Sequence, residues 1–177
     1  MTPAPEFSRP ERLDTIGAGD RMIAVQAEEQ ERAALAKRFG LLAIDTLMAD
    51  FSVKRDAGGI VARGSIRAKV TQACVVTGDA IAVTVNEPVA LRFVAGLTPE
   101  GDEVELTGDD CDTMSFDGQA IDLGEAAAET MALALDPFPR GPNAAAVLAE
   151  SGVIGEEEAK PLGALAGLRA ALRGDQS

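Results

Sequence analysis

IVARGSIRAKVTQACVVTGD (residues 60–79) is the stretch on which the fold reading turns. Ile60, Ala62, Gly64, Ile66, Ala68 and Val70 fall on one parity, and Val61, Arg63, Ser65, Arg67, Lys69 and Thr71 on the other. Side chains alternate across a strand, so strict period 2 over this length predicts a long strand with one buried and one wet face. Gly64 interrupts the apolar parity and marks a bend or bulge. Two further stretches complete the reading: GLTPEGDEVELTGDDCDTMSFDG (96–118) and QAIDLGEAAAETMALALDPFPR (119–140).

Upstream, Leu47, Ala49, Phe51 and Val53 alternate with Met48, Asp50, Ser52 and Lys54, and Asp56-Ala57-Gly58-Gly59 is a turn signal, so a hairpin leads into the long strand. Ala27–Phe39 reads as a helix, with Glu28 and Glu29 at its positive end, Lys37 and Arg38 at its negative end, and Gly40 at the stop position. Residues 1–20, with Pro3, Pro5 and Pro10, read as an extended arm in which Leu13 and Ile16 pack on the domain. Downstream, Thr77-Gly78-Asp79 is a turn, and Ile81, Val83 and Val85 form the next strand. After Asn86-Glu87-Pro88, Val89, Leu91 and Phe93 form another.

Residues 95–120 read as a long acidic loop, with Glu103–Leu106 as a short strand within it and Asp117-Gly118 as a turn; no Lys or Arg occurs between Arg92 and Arg140. Asp122 caps a helix from Leu123 to Leu135 with Glu125 as its capping-box partner, and Pro137 stops it. The expected fold class is α+β: an antiparallel meander of about four strands with the Ala27–Phe39 and Leu123–Leu135 helices packed on it. Residues 1–143 form this domain, and 144–177 form an Ala/Gly-rich tail with short helices at Ala144–Glu150 and Pro161–Arg173.

The 177 residues suffice for one domain with a real core. With aromatics at 3% and no Trp or Tyr, a stacking platform for single-stranded nucleic acid is disfavoured. The chain contains no His, which excludes imidazole catalysis and imidazole metal binding. No apolar run is long enough to span a membrane, and the polar N-terminus lacks the apolar core of a signal peptide, so a cytoplasmic protein with Cys74 and Cys111 reduced is expected. The formal charge of −13 repels nucleic acid at long range and favours basic partners.

In their order, the helix AEEQERAALAKRFGL, the strand run GSIRAKVTQACVVTGDAIAVTVNEPVALRFV, the acidic loop and IDLGEAAAETMALALDPFPR resemble the YceD family over about residues 10–143. The strongest tokens are QACVVTG (Gln72–Gly78) and residues 121–140; the small-residue tail and terminal leucine helix are similar to the family's alphaproteobacterial branch. The resemblance implies a role in accumulation of large-subunit (23S) ribosomal RNA, hence in ribosome assembly. Ribosomal proteins or pre-50S particles would be the partners, with no catalytic residue and no cofactor carried over; the acidic charge makes indirect rRNA contact the expectation, with direct contact as the alternative. Many relatives carry a C-x-R-C pair at Gln72–Val75, where this chain keeps only Cys74, so no metal site is expected.

Two surfaces are candidates. The acidic residues Glu100, Asp102, Glu103, Glu105, Asp109, Asp110 and Asp112, with Phe138 in DPFPRG, are read as docking a basic ribosomal protein; the plainer readings are a solvated loop and a helix stop folded back on the core. Arg63, Arg67 and Lys69 lie along one strand face, where residues two apart stand about 7 Å apart, near the spacing of nucleic-acid phosphates; the plainer reading is a solvated sheet face answered by acids from 100–117. Glu125 and Glu129, four apart on a helix, would be the carboxylates of a Mg²⁺-dependent enzyme acting on RNA, a third reading outweighed by the structural role of Glu125. Cys74 falls on the apolar parity and reads as a buried small hydrophobe.

Overall fold

The alternating stretch is the central strand of the sheet in the computed structural model of the chain, which describes residues 5–95, 112–116 and 118–153. In chain order the elements are β1 (Pro10–Arg12), β2 (Arg21–Gln26), α1 (Glu29–Phe39), β3 (Ala43–Asp56), β4 (Gly59–Ala73), β5 (Ala80–Ala95), β6 (Asp112–Phe116), β7 (Ala120–Asp122), α2 (Leu123–Leu133) and α3 (Ala144–Glu150). Five strands form one sheet in the order β2-β3-β4-β5-β6, and β1 pairs with β7 in a separate two-stranded ribbon. The fold is α+β, as the alternation and helix signals predict.

The hairpin β3–β4 follows the sequence closely. Leu47, Ala49, Phe51 and Val53 are buried on one face, opposite Ala68, Ile66, Gly64 and Ala62. The register shift falls between Ile44 and Thr46, so Asp45 is the extra residue, and both Ile44 and Leu47 stay in the core. Gly64, expected to bend or bulge its strand, sits in unbroken register with Phe51 and Val89. Its glycine is required by close approach: a Cβ there would lie 1.8 Å from the Asp50 carbonyl oxygen.

Two expectations are corrected here. Asn86-Glu87-Pro88 does not divide two strands; β5 runs through it in register with β4 from Ala80 to Phe93. Ile81, Val83, Val85, Val89, Leu91 and Phe93 share one parity across the tripeptide, and β6 reaches only Leu91–Ala95, so Pro88 lies where β5 has no outer neighbour among the described residues. The sheet is also mixed: β6, inside the stretch read as loop, pairs parallel to β5. There Met114 and Phe116 pack against the core while Thr113 and Ser115 take the other parity. The expected strand at Glu103–Leu106 and helix at Pro161–Arg173 lie outside the described residues.

Both long helices bury side chains in the same core cluster as the sheet's inner face. α1 starts two residues later than expected, behind a capping box in which the Glu28 N–H donates to Glu31 Oε2 at 2.7 Å, and it ends at Gly40 with φ of 66°. α2 is hydrophobic without being bulky: Leu123, Gly124, Ala126, Ala127, Ala128 and Met131 are buried, and small residues let its backbone approach the sheet and the N-terminal arm closely. A Cβ on Gly124 would come within 2.6 Å of the Phe7 carbonyl oxygen. The arm packs as expected and further, with Phe7 fully buried and Ile16 4% exposed. α3 stands where Ala144–Glu150 was read. No helix among the described residues is long and apolar enough to cross a membrane.

Candidate functional surfaces

With α1, α2 and the arm on one side, the other parity of the sheet carries polar and charged residues. Along β4, Arg63, Arg67 and Lys69 are all exposed on that face. The register sets Arg67 between Met48 and Asn86, Lys69 between Thr46 and Thr84, and Arg63 between Ser52 and Ala90. Lys54 and Arg92 flank Val61 in the same array, a grouping the sequence does not reveal because the three residues belong to three strands. Arg67 is ion-paired with Asp50 of β3, and Arg92 meets Asp56 at 2.8 Å. Among the described residues, the acids that meet Arg67 and Arg92 are neighbours in the sheet; those of 100–111 lie outside the described residues. The Arg92 guanidinium, followed by the Gly58 N–H, holds the Asp56 carboxyl below the usual carboxylate range.

Of the acidic docking candidates, Asp112 is described. It is exposed at the start of β6, opposite Leu91. Glu100, Asp102, Glu103, Glu105, Asp109 and Asp110 lie outside the described residues. Phe138 is 70% exposed, and so is not folded back on the core. It stands on a strap, residues 136–141, stitched to the turn after β4. Gln72 Nε2 donates to the Asp136 carbonyl at 2.9 Å, the Val75 N–H to the Pro139 carbonyl at 2.9 Å, and the Gly141 N–H to Cys74 Sγ at 3.3 Å. The Phe138 N–H itself donates to Asp136 Oδ1 at 2.8 Å. Val75, 53% exposed, is brought beside the strap by its bond to Pro139.

Cys74 is buried, as its parity predicts, but it is more than a small hydrophobe. The Thr77 side chain, the Gly141 N–H and the Thr77 N–H direct hydrogen bonds to its sulfur and pull the thiol down to about 7, outweighing the opposing effect of burial. Its geometry is that of a tie between the β4 turn and the strap.

The carboxylate pair on α2 is drawn into architecture. Glu125 does not close a capping box with Asp122. It receives Arg38 of α1 through two bonds of 2.6 and 3.0 Å, and Arg38 also reaches Glu6 of the arm at 3.0 Å. Asp122 caps the helix itself, accepting from the Gly124 and Glu125 N–H groups. Glu129 is pushed up from the ordinary carboxylate value, first by burial and then by the adjacent Glu125 charge, against the pull of Arg38. Folding therefore favours its protonated form, a contribution present at acid pH and lost as pH rises through the raised value. Glu129→Gln is expected to raise Tm by about 1–2 °C at neutral pH and to change nothing at about pH 3. Thermal melts at both pH values check this, and a Gln variant less stable than the parent at neutral pH contradicts it.

An open groove of about 570 Å³ lies between α1 and the start of β3, with Glu29, Arg32, Lys37 and Asp45 around Leu41 and Leu42. Arg32 is committed to the Ala27 and Ile44 carbonyls, so its guanidinium braces the helix against the sheet. No group of three or more Cys, Asp or Glu able to hold a metal ion occurs among the described residues.

No curated protein matches the chain, and no solved structure does. The family model described as "Large ribosomal RNA subunit accumulation protein YceD" matches residues 62–169, from the central strand through the cap, α2, the strap and α3. That match spans more than half of the chain and contains QACVVTG and residues 121–140, the segments whose geometry is given above. The chain thus belongs to the YceD family, whose role is in accumulation of the large-subunit ribosomal RNA.

Proposed function

We propose that this chain acts without catalysis of its own, by holding a basic ribosomal protein, or an rRNA–protein intermediate containing one, while the large-subunit RNA accumulates. The observation that carries the reading is the strap: an aromatic side chain 70% exposed on a backbone fixed by four hydrogen bonds. An anchor already held in its binding conformation loses little further freedom on association, and buried aromatics dominate interface energetics. The charge of −13 favours a basic partner, and the run from Glu100 to Asp112, which holds acids and no Lys or Arg, adds to that preference. The engagement of Glu125 by Arg38 supports a non-enzymatic role, because it commits one of the two α2 carboxylates, Glu125 and Glu129, to a brace between helices.

Phe138→Asp is expected to cut the ribosomal proteins retained by tagged chain more than about ten-fold, since a buried aromatic anchor contributes 2 kcal/mol or more. Its Tm should stay within about 2 °C of the parent, because the residue is exposed. Quantitative co-purification from native lysate, paired with a thermal melt, gives both values. Retention equal to the parent's rejects the strap as the docking element.

A further inference from the structure

We infer that the free edge of β2 takes up an extended, basic segment of a protein partner as an added strand. The inference rests on the reading of this chain as a docking factor for a basic protein, and it adds to the strap a second contact of different chemistry. β2 is the outermost strand of the five-stranded sheet, and its one sheet neighbour among the described residues is β3. The Ala27 N–H donates to the Leu47 carbonyl at 3.0 Å, directly across the β2–β3 register, so these two form a hydrogen-bonded pair. Such pairs alternate along an antiparallel ladder. Val25, Ile23 and Arg21 therefore turn their backbone groups to β3, and Gln26, Ala24 and Met22 turn theirs outward. The Gln26 carbonyl is met from that side by Arg9 Nη2 at 3.1 Å, as this phase requires. Among the described residues, the N–H and C=O groups of Met22 and Ala24 have no partner. Two donors and two acceptors at the repeat of a strand match the backbone of another extended polypeptide; RNA carries no such series.

Exposed edges are ordinarily blunted by Pro, Lys or a bulge. RMIAVQ has neither Pro nor Lys, and its register with β3 is unbroken. Its one charge, Arg21, stands at the first residue and is engaged by Glu11 at 3.1 Å. Val25 is buried in the core and Ile23 packs against it, so Met22, Ala24 and Gln26 take the other parity, where Met22 is 72% exposed. An incoming strand thus gains an apolar neighbour as well as backbone hydrogen bonds. Charge decides the occupant. Exposed acids stand at both ends of β2, Asp20 before it and Glu28 and Glu29 after it, within a chain of net charge −13. Arg9, the other cation at this edge, is held by Glu31 at 2.7 Å. A second copy brings the same acids and the same −13 to the edge, so repulsion works against self-pairing, whereas a segment bearing Lys or Arg is attracted.

The test uses the full chain and a fluorescein-labelled peptide in which Lys alternates with Val and Thr, followed by fluorescence anisotropy. One counterpart, methylated on every backbone nitrogen, keeps the charge with no N–H to donate; another, with Glu for Lys, keeps the backbone without the positive charge. Each counterpart is expected to bind at least about ten-fold more weakly than the Lys peptide. A24P removes an outward N–H and spares the ladder to β3, and M22K places a cation on the edge and keeps the backbone. Each variant is expected to weaken the Lys peptide at least about five-fold, with circular dichroism melts to show that the sheet is intact. Amide exchange at Met22 and Ala24 is expected to slow about ten-fold or more at saturating Lys peptide. Equal binding of the methylated peptide, unchanged exchange at Met22 and Ala24, or a folded M22K that binds as the parent does overturns the inference. So does a chain that sediments as a dimer and becomes monomeric with M22K, which gives the edge to a second copy. If the parent binds no peptide yet still retains ribosomal proteins after nuclease treatment, the β2 edge is rejected and the docking function at the strap stands.

Discussion

Replacing Gly64 by alanine is expected to cost the domain more than about 3 kcal/mol, the range reached when overpacking meets backbone that cannot move. The added Cβ would sit 1.8 Å from the Asp50 carbonyl oxygen and 3.1 Å from the Phe51 Cα. Both belong to β3, and both are backbone atoms, so no rotamer change relieves the contact. The strands can separate only by breaking the β3–β4 ladder at its centre, where Phe51 and Val53 are fully buried. Gly17→Ala is the control: nothing lies within 4 Å of its Cβ position, and a change within about 0.5 kcal/mol is expected. Urea unfolding of the two variants makes the comparison. A Gly64→Ala loss below about 1 kcal/mol would show that β3 and β4 are not held as closely as described.

The second large effect belongs to Asp122, which joins the arm to α2. Its Oδ1 accepts from the Gly124 N–H at 3.0 Å, the Glu125 N–H at 3.1 Å and the Arg9 N–H at 2.8 Å, while Oδ2 accepts from the Ser8 hydroxyl. Loss of a helix cap alone costs about 1–2 kcal/mol. Removal of the carboxylate also strands the part-buried Arg9 N–H and Ser8 hydroxyl, so Asp122→Ala is expected to cost about 2–4 kcal/mol in all. Asp122→Asn keeps the oxygen that serves three N–H donors, and the Ser8 hydroxyl can turn to accept from the new amide, so a loss below about 1 kcal/mol is expected. Limited proteolysis adds a readout of mechanism: with alanine, cleavage within residues 5–12 should precede global unfolding. Equal losses for Ala and Asn would contradict the hydrogen-bonding account and assign the effect to charge.

How far the sequence led can be judged element by element. The β3–β4 hairpin was legible because alternation is strict and one face is fully buried, so side-chain period and environment agree. The cap at Asp122 and the stop at Gly40 were legible because each is a local hydrogen-bonding device. β2 and β6 were not, since six residues of RMIAVQ and five of DTMSF become strands through what they pair with; β6 also sits within an acidic run whose composition argues for loop. Asn86-Glu87-Pro88 misled because turn chemistry outweighed the continuing parity of Val85 and Val89.

For the surfaces, the basic side of β4 could be read from one strand, whereas Lys54 and Arg92 needed the register. The exposure of Phe138 was undecidable in sequence, since a Pro-flanked aromatic after a helix can fold either way; the bonds from Gln72, Val75 and Gly141 settle its backbone. The Arg38–Glu125 brace, spanning 87 positions, carries no local signal at all.

The measurement closest to the central claim is a pull-down of the tagged full chain from native lysate, with and without nuclease treatment. Ribosomal proteins and large-subunit rRNA are quantified against an untagged control. The account predicts that both are enriched before treatment, and that basic ribosomal proteins persist after the RNA has been digested. Recovery of neither above the control, in lysate where the chain is folded and abundant, would contradict a docking role in the accumulation of the large-subunit RNA.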